Sequence, residues 1–232
     1  IANGYVSRRF GFHQGWDTYR NYVRERRRNR ADVVYADSIA WLDQRPEGQP
    51  FFLYVHTIDP HVPYCAPRPF RTMYDLDPYH GPIVAHRTPQ LLADIKAGRL
   101  PTNARDRTRL EALYDGEITY HDEHFARFLA ALEERGLLED TLIWVTSDHG
   151  EEFFDHGSVG HGHSLYQELL HVPLILSMPG VVSPGGRVDS TVSLIDVLPT
   201  SLELLGLDPH SEAQGQSLTG LLDGRPPDLY HA

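Results

Sequence analysis

Three short apolar runs lack polar alternation: PFFLYVH at residues 50–56, TLIWVTS at 141–147 and VPLILSM at 172–178. A strand with one wet face alternates apolar and polar side chains with a period of two. Runs without that alternation describe strands covered on both faces, as in parallel sheets. Between the first two runs, residues 108–135 read as a helix, with Leu110, Leu113, Ile118, Phe125, Phe128, Leu129 and Leu132 at helical spacing. Thr108 and Glu111 make a capping box at its start and Gly136 ends it. Gly116 within it costs about 1 kcal/mol relative to alanine. A second helix is expected over 196–205, with Leu198, Leu202 and Leu205 on one face, Pro199 near its start and Gly206 as its stop. Strand and helix alternate, which predicts an α/β fold with a mostly parallel sheet and helices on both faces. Residues 65–101 and 179–186 are rich in Pro, Gly and His and read as long surface loops of the kind that carry function.

The composition, 41% hydrophobic and 10% aromatic over 232 residues, is that of a globular domain with a sizeable core. A net charge of -11 argues against nucleic acid as the general partner, because phosphate-binding surfaces are basic. The one basic run, RERRRNR at 24–30, reads as a solvated helix face, with contact to a polyanion as its functional alternative. No stretch approaches the roughly 20 consecutive apolar residues that span a bilayer. The chain opens on Ile1 without a signal pattern and is expected to be a fragment or processed product. Cys65 is the sole cysteine, so no internal disulfide forms, and cytoplasmic and extracytoplasmic locations both remain open.

The polar residues with chemistry to offer stand directly after the apolar runs. PFFLYVH leads into TIDPHVPY with His61, and TLIWV leads into TSDHGEE with Asp148 and His149. In open α/β sheets ligands sit beyond the carboxyl ends of the strands, so these loops are expected to meet at one pocket. Asp148 offers a hard anionic oxygen and His149 a neutral nitrogen, both suited to a divalent cation. His156, His161 and His163 follow in a glycine-rich loop where core roles for all three do not fit.

Five segments carry a family resemblance: GFHQGWDTY (11–19), FFLYVHTIDPHVPY (51–64), ITYHDEHFARFLAALEERGLLEDTLIWVTSDHGEE (118–152), HGHSLYQELLHVPLIL (161–176) and VSLIDVLPTSLELLG (192–206). In this order they resemble the C-terminal two thirds or so of a sulfatase catalytic domain, within the alkaline-phosphatase-like superfamily. The resemblance implies a single partial catalytic domain over 1–232 of alkaline-phosphatase/sulfatase-like fold. It implies that Asp148 and His149 are metal ligands and that His61 contacts the sulfate or its bridging oxygen. His161 falls where many sulfatases place a lysine that grips the sulfate. A histidine donates there only while protonated, so turnover is expected to depend on pH near neutrality.

The metal implied by an oxygen-rich ligand set is calcium, with manganese or zinc as alternatives. The nucleophile implied is a formylglycine, expected upstream of these residues, so that the chain alone binds the ion weakly and turns over nothing. CAPRP at 65–69 lacks the serine and the position of the family's C-x-P-S-R motif, and Cys65 reads as an ordinary loop cysteine. His156 and His163 read as turn or supporting residues, His171 as satisfying a backbone group, and His121 and His124 as surface or packing residues on the long helix. His56 is expected to bond a loop carbonyl, and Asp59 to orient His61. The activity implied is metal-dependent hydrolysis of sulfate esters. Alternatives in the superfamily are a phosphodiester or phosphonate monoester hydrolase and a phosphoethanolamine or glycerophosphate transferase. The alternative from another class is a non-catalytic anion-binding module.

Overall fold

The computed structural model of the chain describes residues 1–222 and 224; residues 223 and 225–232 of the single expected domain lie outside the described residues. In chain order the elements are α1 (Ala31–Gln44), α2 (Thr88–Lys96), α3 (Ala104–Glu134), β1 (Ile143–Thr146), β2 (Glu152–Phe153), β3 (Val159–Gly160), α4 (Gln167–Leu170), β4 (Leu174–Ser177), α5 (Val197–Leu204) and α6 (Thr219–Leu222), with short 3-10 turns between them. They form two compact units, Ile1–Arg135 with Asp148–Val172, and Gly136–Ser147 with the described residues from Pro173 onward.

The first unit is organised by α3. Its start lies earlier than Thr108: Asn103 accepts from the Asp106 N–H, and the Asp106 carboxylate accepts from the Asn103 N–H, closing a capping box that satisfies donors a helix start leaves orphaned. The Thr108 hydroxyl instead donates to the Ala104 carbonyl one turn back, at 3.2 Å. Gly136 takes φ +64° just past the helix end, the left-handed conformation for which glycine is suited. The inward stripe includes Leu110, Leu113, Phe128 and Leu132, as the spacing predicts, but Ile118 is exposed and Gly116, Glu117 and Tyr120 are buried in its place.

Leu110 and Leu113 join Tyr64, Ile83, Leu92 and Val159 in one core cluster, while α1 packs along α3 through Tyr35 against Phe125 and Phe128. Arg135 ties the helices by a paired contact to Asp43, 2.8 and 3.0 Å. Burial raises the pKa of Glu117, and it stays anchored by the Cys65 N–H and by Arg30 at 3.4 Å.

The strand expectations need correction. Residues 50–56 form no ladder among the described residues. The Ala2 N–H donates to the His56 carbonyl, Phe52 is 78% exposed and stacks on Trp16, and only Val55 of this run packs on the small core of Ala2, Tyr22 and Val34. In the second unit β1 and β4 pair antiparallel, Ile143 opposite Ser177 and Thr146 opposite Leu174, and β2 pairs antiparallel with β3 in the first. A parallel connection needs a crossover of a dozen or more residues, usually a helix. Between β1 and β4 the only helix is the four-residue α4, so the expected parallel pairing of these runs does not form.

The second unit also holds α5, preceded by a capping box of Ser193 and Asp196. The buried Asp196 side chain additionally accepts from the Gln216 N–H at 2.9 Å. Gly206 at φ +65° stops α5 as expected.

The basic run is not a helix face. Residues 22–26 turn before α1 begins at Ala31, and four of the five arginines are engaged: Arg24 with the Gly4 carbonyl, Arg27 with Asp37 at 3.1 Å, Arg28 with Asp32 at 2.7 Å, and Arg30 with the Cys65 carbonyl at 2.7 Å. No described helix is long and apolar enough to cross a membrane.

Gly116 is explained by a close approach. A Cβ there would lie 2.6 Å from the Phe70 carbonyl oxygen, nearer than side-chain carbons are found. Gly116→Ala gains about 1 kcal/mol of helix propensity but forces the 70–72 turn away, a repacking cost of about 1–3 kcal/mol. A lower urea midpoint is expected for the variant; an equal or higher midpoint shows that the turn yields freely.

Candidate active site

The loop that follows β1 in sequence is held by backbone proximity. The Gly150 N–H donates to the Leu169 carbonyl at 2.9 Å, and a Cβ on Gly150 would sit 2.0 Å from the Glu168 carbonyl oxygen, so only glycine fits. The chain then makes the β2–β3 hairpin, turned by Phe154 and Gly157 at φ +69° and +86°. The hairpin rests on rings: Phe153 meets Tyr114 at 5.0 Å and Tyr64 at 6.3 Å. Asp148 and His149 enter this hairpin and His161 and His163 leave it.

Four residues singled out by sequence come together in this unit. The His149 and His161 rings lie 4.2 Å apart, centroid to centroid, and those of His61 and His161 lie 5.1 Å apart. Asp148 Oδ1 is 3.8 Å from His149 Nε2. In each histidine Nδ1 faces an acceptor: the Gly150 carbonyl for His149 at 2.8 Å, the Val62 carbonyl for His61 at 2.9 Å, and the Glu151 carboxylate for His161 at 3.0 Å. A carbonyl or carboxylate oxygen can only accept, so Nδ1 carries the hydrogen and Nε2 is the nitrogen whose protonation can vary. The Glu151 hydrogen bond holds the His161 pKa above the ordinary histidine value, against the burial that lowers it. His56 moves the other way, lowered by burial with Asp148 opposing, and burial with the Asp148 charge raises Tyr54.

Two donors on one cation are separated by at most the sum of their metal–ligand distances, about 4.1–4.7 Å for a nitrogen and a carboxylate oxygen. The 3.8 Å between Asp148 Oδ1 and His149 Nε2 falls inside that limit. The fixed Nδ1–H of His149 is the usual support that orients a ligating imidazole. Ligand-type atoms also converge at Glu152, His156 and Glu168, all within 4.8 Å of one another. There they already bind one another or the backbone: His156 Nδ1 meets Glu168 Oε1 at 2.6 Å, and Glu152 Oε1 accepts the His156 and Ser158 N–H groups. That group reads as a staple across the loop.

Of the other residues singled out, Asp59 and His56 depart from expectation, whereas His156, His163 and His121 make supporting or packing contacts. Asp59 accepts from the Ala31 N–H at 2.8 Å at the start of α1 rather than orienting His61. The His56 Nδ1 is buried without a hydrogen-bond partner instead of meeting a loop carbonyl. His156 stacks on Tyr166 at 3.5 Å, and His163 Nε2 meets Glu152 Oε2 at 2.7 Å, both as supports. His121 lies between the hydroxyls of Tyr35 and Thr57, a packing role. The Cys65 thiol receives Arg71 Nη1 at 3.4 Å. Sequence reading passed over Glu151, Glu152, Glu168, Tyr64 and Lys96, although two adjacent acids beside three histidines were a visible signal.

Comparison with known proteins gives one consistent result. The sulfatase family model matches residues 2–207. The multifunctional alkaline phosphatase superfamily protein PehA of Trinickia caryophylli is 32% identical over 206 residues, covering 78% of this chain and 39% of that protein. An arylsulfatase of Clostridium perfringens is 29% identical over 232 residues, covering 97% of this chain and 46% of the enzyme. Among solved structures, a phosphonate monoester hydrolase from Silicibacter pomeroyi superposes with a TM-score of 0.68 at 31% identity, covering 87% of this chain and 44% of that one. The chain thus spans less than half the length of these relatives.

Glu152 generates a prediction about pH. Burial raises its pKa, but the His163 hydrogen bond and the Ser158 and His156 N–H groups outweigh that and hold it below the ordinary glutamate value. A carboxylate with a depressed folded pKa adds stability above its unfolded pKa, near 4.3, and loses it as pH falls through the folded value. The urea midpoint of the wild-type chain should fall on acidification below about pH 5, and Glu152→Gln should flatten that fall while lowering the midpoint at neutral pH. Parallel pH curves for the two proteins would remove Glu152 from this role.

Proposed function

This chain belongs to the sulfatase family, and from that premise we propose that it carries part of the active site of a metal-dependent sulfuric ester hydrolase. The observation that supports the reading most is the convergence of an acid–imidazole pair, Asp148 and His149, with His161 from the hairpin exit and His61 from the DPHVPY loop. Asp148 Oδ1 and His149 Nε2 would hold the divalent cation, calcium before manganese or zinc because the remaining ligands expected are oxygens. When bound, that cation polarises the ester oxygens and lowers the pKa of an oxygen nucleophile.

His61 and His161 lie beyond the metal pair, and with Nδ1 already committed each meets the bound oxyanion through Nε2. An Nε2–H donor requires the imidazolium form, which the Glu151 carboxylate favours at His161. Their task is to neutralise the group being transferred and, for His161, to protonate the departing oxygen. Cys65, with its thiol against Arg71, is not assigned as nucleophile.

A second reading is hydrolysis of phosphonate monoesters. It is favoured by the similarity to the Silicibacter pomeroyi phosphonate monoester hydrolase, and the histidine at 161 leaves room for it. A scaffold module gripping a polyanion is disfavoured, because Arg24, Arg27, Arg28 and Arg30 of the basic run are engaged by acidic or carbonyl oxygens.

Calcium, manganese and zinc titrated calorimetrically into the chain should each bind more weakly to Asp148→Ala; binding unchanged by the substitution refutes the metal assignment. In the full-length protein, aryl sulfate and aryl phosphonate esters assayed side by side decide between the two substrate classes. There His61→Ala and His161→Ala should each reduce kcat by about 100-fold or more. Full turnover without either imidazole leaves the anion-handling role untenable.

A further inference from the structure

We propose that Glu151 is a positioning residue that decides which nitrogen of His161 meets the bound anion: it holds Nδ1–H, so that Nε2 is always the nitrogen presented. The inference rests on the reading of His161 as a contact to the transferred group, and extends it to a residue and a tautomer.

The geometry is built for one orientation. Glu151 has a side chain only 4% exposed, and both its oxygens reach His161 Nδ1, at 3.0 and 3.2 Å. Oε2 also accepts from the hydroxyl of Tyr64, a fully buried residue of the core cluster, at 2.9 Å. The carboxylate is therefore anchored on the core side and presents acceptors, never donors, to the ring. On the main-chain side, Lys96 at the end of α2 donates from Nζ to the His161 carbonyl at 3.0 Å.

Gly160 lets the two grips close on the same residue. Its φ is +77°, and a Cβ there would lie 3.0 Å from Lys96 Nζ and 3.4 Å from Glu151 Oε1. Side chain and carbonyl of His161 are thus each fixed from a different element. Free imidazole exchanges its proton between both nitrogens, whereas a ring bonded this way has one tautomer when neutral.

The test reads the tautomer directly. Long-range proton–nitrogen correlation NMR on the 15N-labelled chain, with the pH raised until the ring is neutral, should show His161 with a proton-bearing Nδ1 and a bare Nε2. Glu151→Ala should lose that preference. Glu151→Gln, whose amide oxygen can still accept from Nδ1–H, should keep it. A wild-type ring protonated on Nε2, or an Ala variant with an unchanged tautomer, overturns the inference.

Titration with inorganic sulfate at lower pH separates this from the functional reading. If the His61 and His161 resonances of the wild type do not respond, the anion-handling reading fails while the tautomer result stands. If they respond equally in wild type and Glu151→Ala, orientation has no bearing on the anion and the inference fails. The supporting result is a sulfate response in the wild type that is weakened several-fold in Glu151→Ala and restored in Glu151→Gln.

Discussion

Two neighbouring carboxylates, both withdrawn from water, govern how this site is assembled. Successive side chains at a strand leave on opposite faces, and at the start of β2 that alternation sends Glu151 toward Tyr64 and His161 while Glu152 turns to His163 and the loop peptides. A carboxylate removed from water without partners is costly, and breaking a buried pair typically costs about 3–5 kcal/mol. Each acid accordingly accepts more than one donor: Glu152 from His156, Ser158 and His163 of its own hairpin, and Glu151 from His161 and from Tyr64 at the end of the DPHVPY loop that carries His61. The requirement to satisfy two charges thereby becomes a requirement on where the imidazoles lie.

That arrangement needs a rigid base, which α3 supplies. Leu110 and Leu113 support Tyr64 and Val159, so the ring that anchors Glu151 and the strand that ends at Gly160 stand on the same cluster. Further along the helix, Glu117 occupies a position where an apolar residue would pack without electrostatic cost. There it anchors the Cys65 N–H at the end of the DPHVPY loop, the loop that presents His61. The charged member of the inward face thus serves to position a loop that has no regular hydrogen-bond ladder of its own.

What could be read from sequence follows from whether the cause is local. The helices α3 and α5 were legible because period and stop glycines lie within a few turns, whereas α1 and α2, the latter inside the stretch read as a 65–101 loop, were not; the start of α3 moved to Asn103 because Asn103 and Asp106 form a better-satisfied box than Thr108 and Glu111. Strand pairing was not legible. An apolar run reports burial but not its partner or direction, and 141–147 and 172–178 pair antiparallel. In the site, the histidines announced themselves by density, and the expectation that His61, Asp148, His149 and His161 meet agrees with the geometry. Their supports did not, since Tyr64 and Glu151, or Lys96 and His161, are joined across long stretches of chain by contacts that no short-range pattern encodes.

The histidine at 161 shows why those supports matter. A lysine brings one charged nitrogen with rotatable donors, and it grips an oxyanion from any approach that its stem permits. An imidazole has two chemically distinct nitrogens, and a neutral ring that presents the wrong one offers a donor where a proton acceptor is needed, or the reverse. Replacing the first by the second therefore gains a group able to give and take a proton near neutrality, at the expense of an orientation that must be specified by something else. In this chain the specification comes from a buried acid on one ring nitrogen and an ammonium on the peptide carbonyl. The imidazole at 161 and the buried Glu151 in contact with it are, on this argument, two parts of one solution.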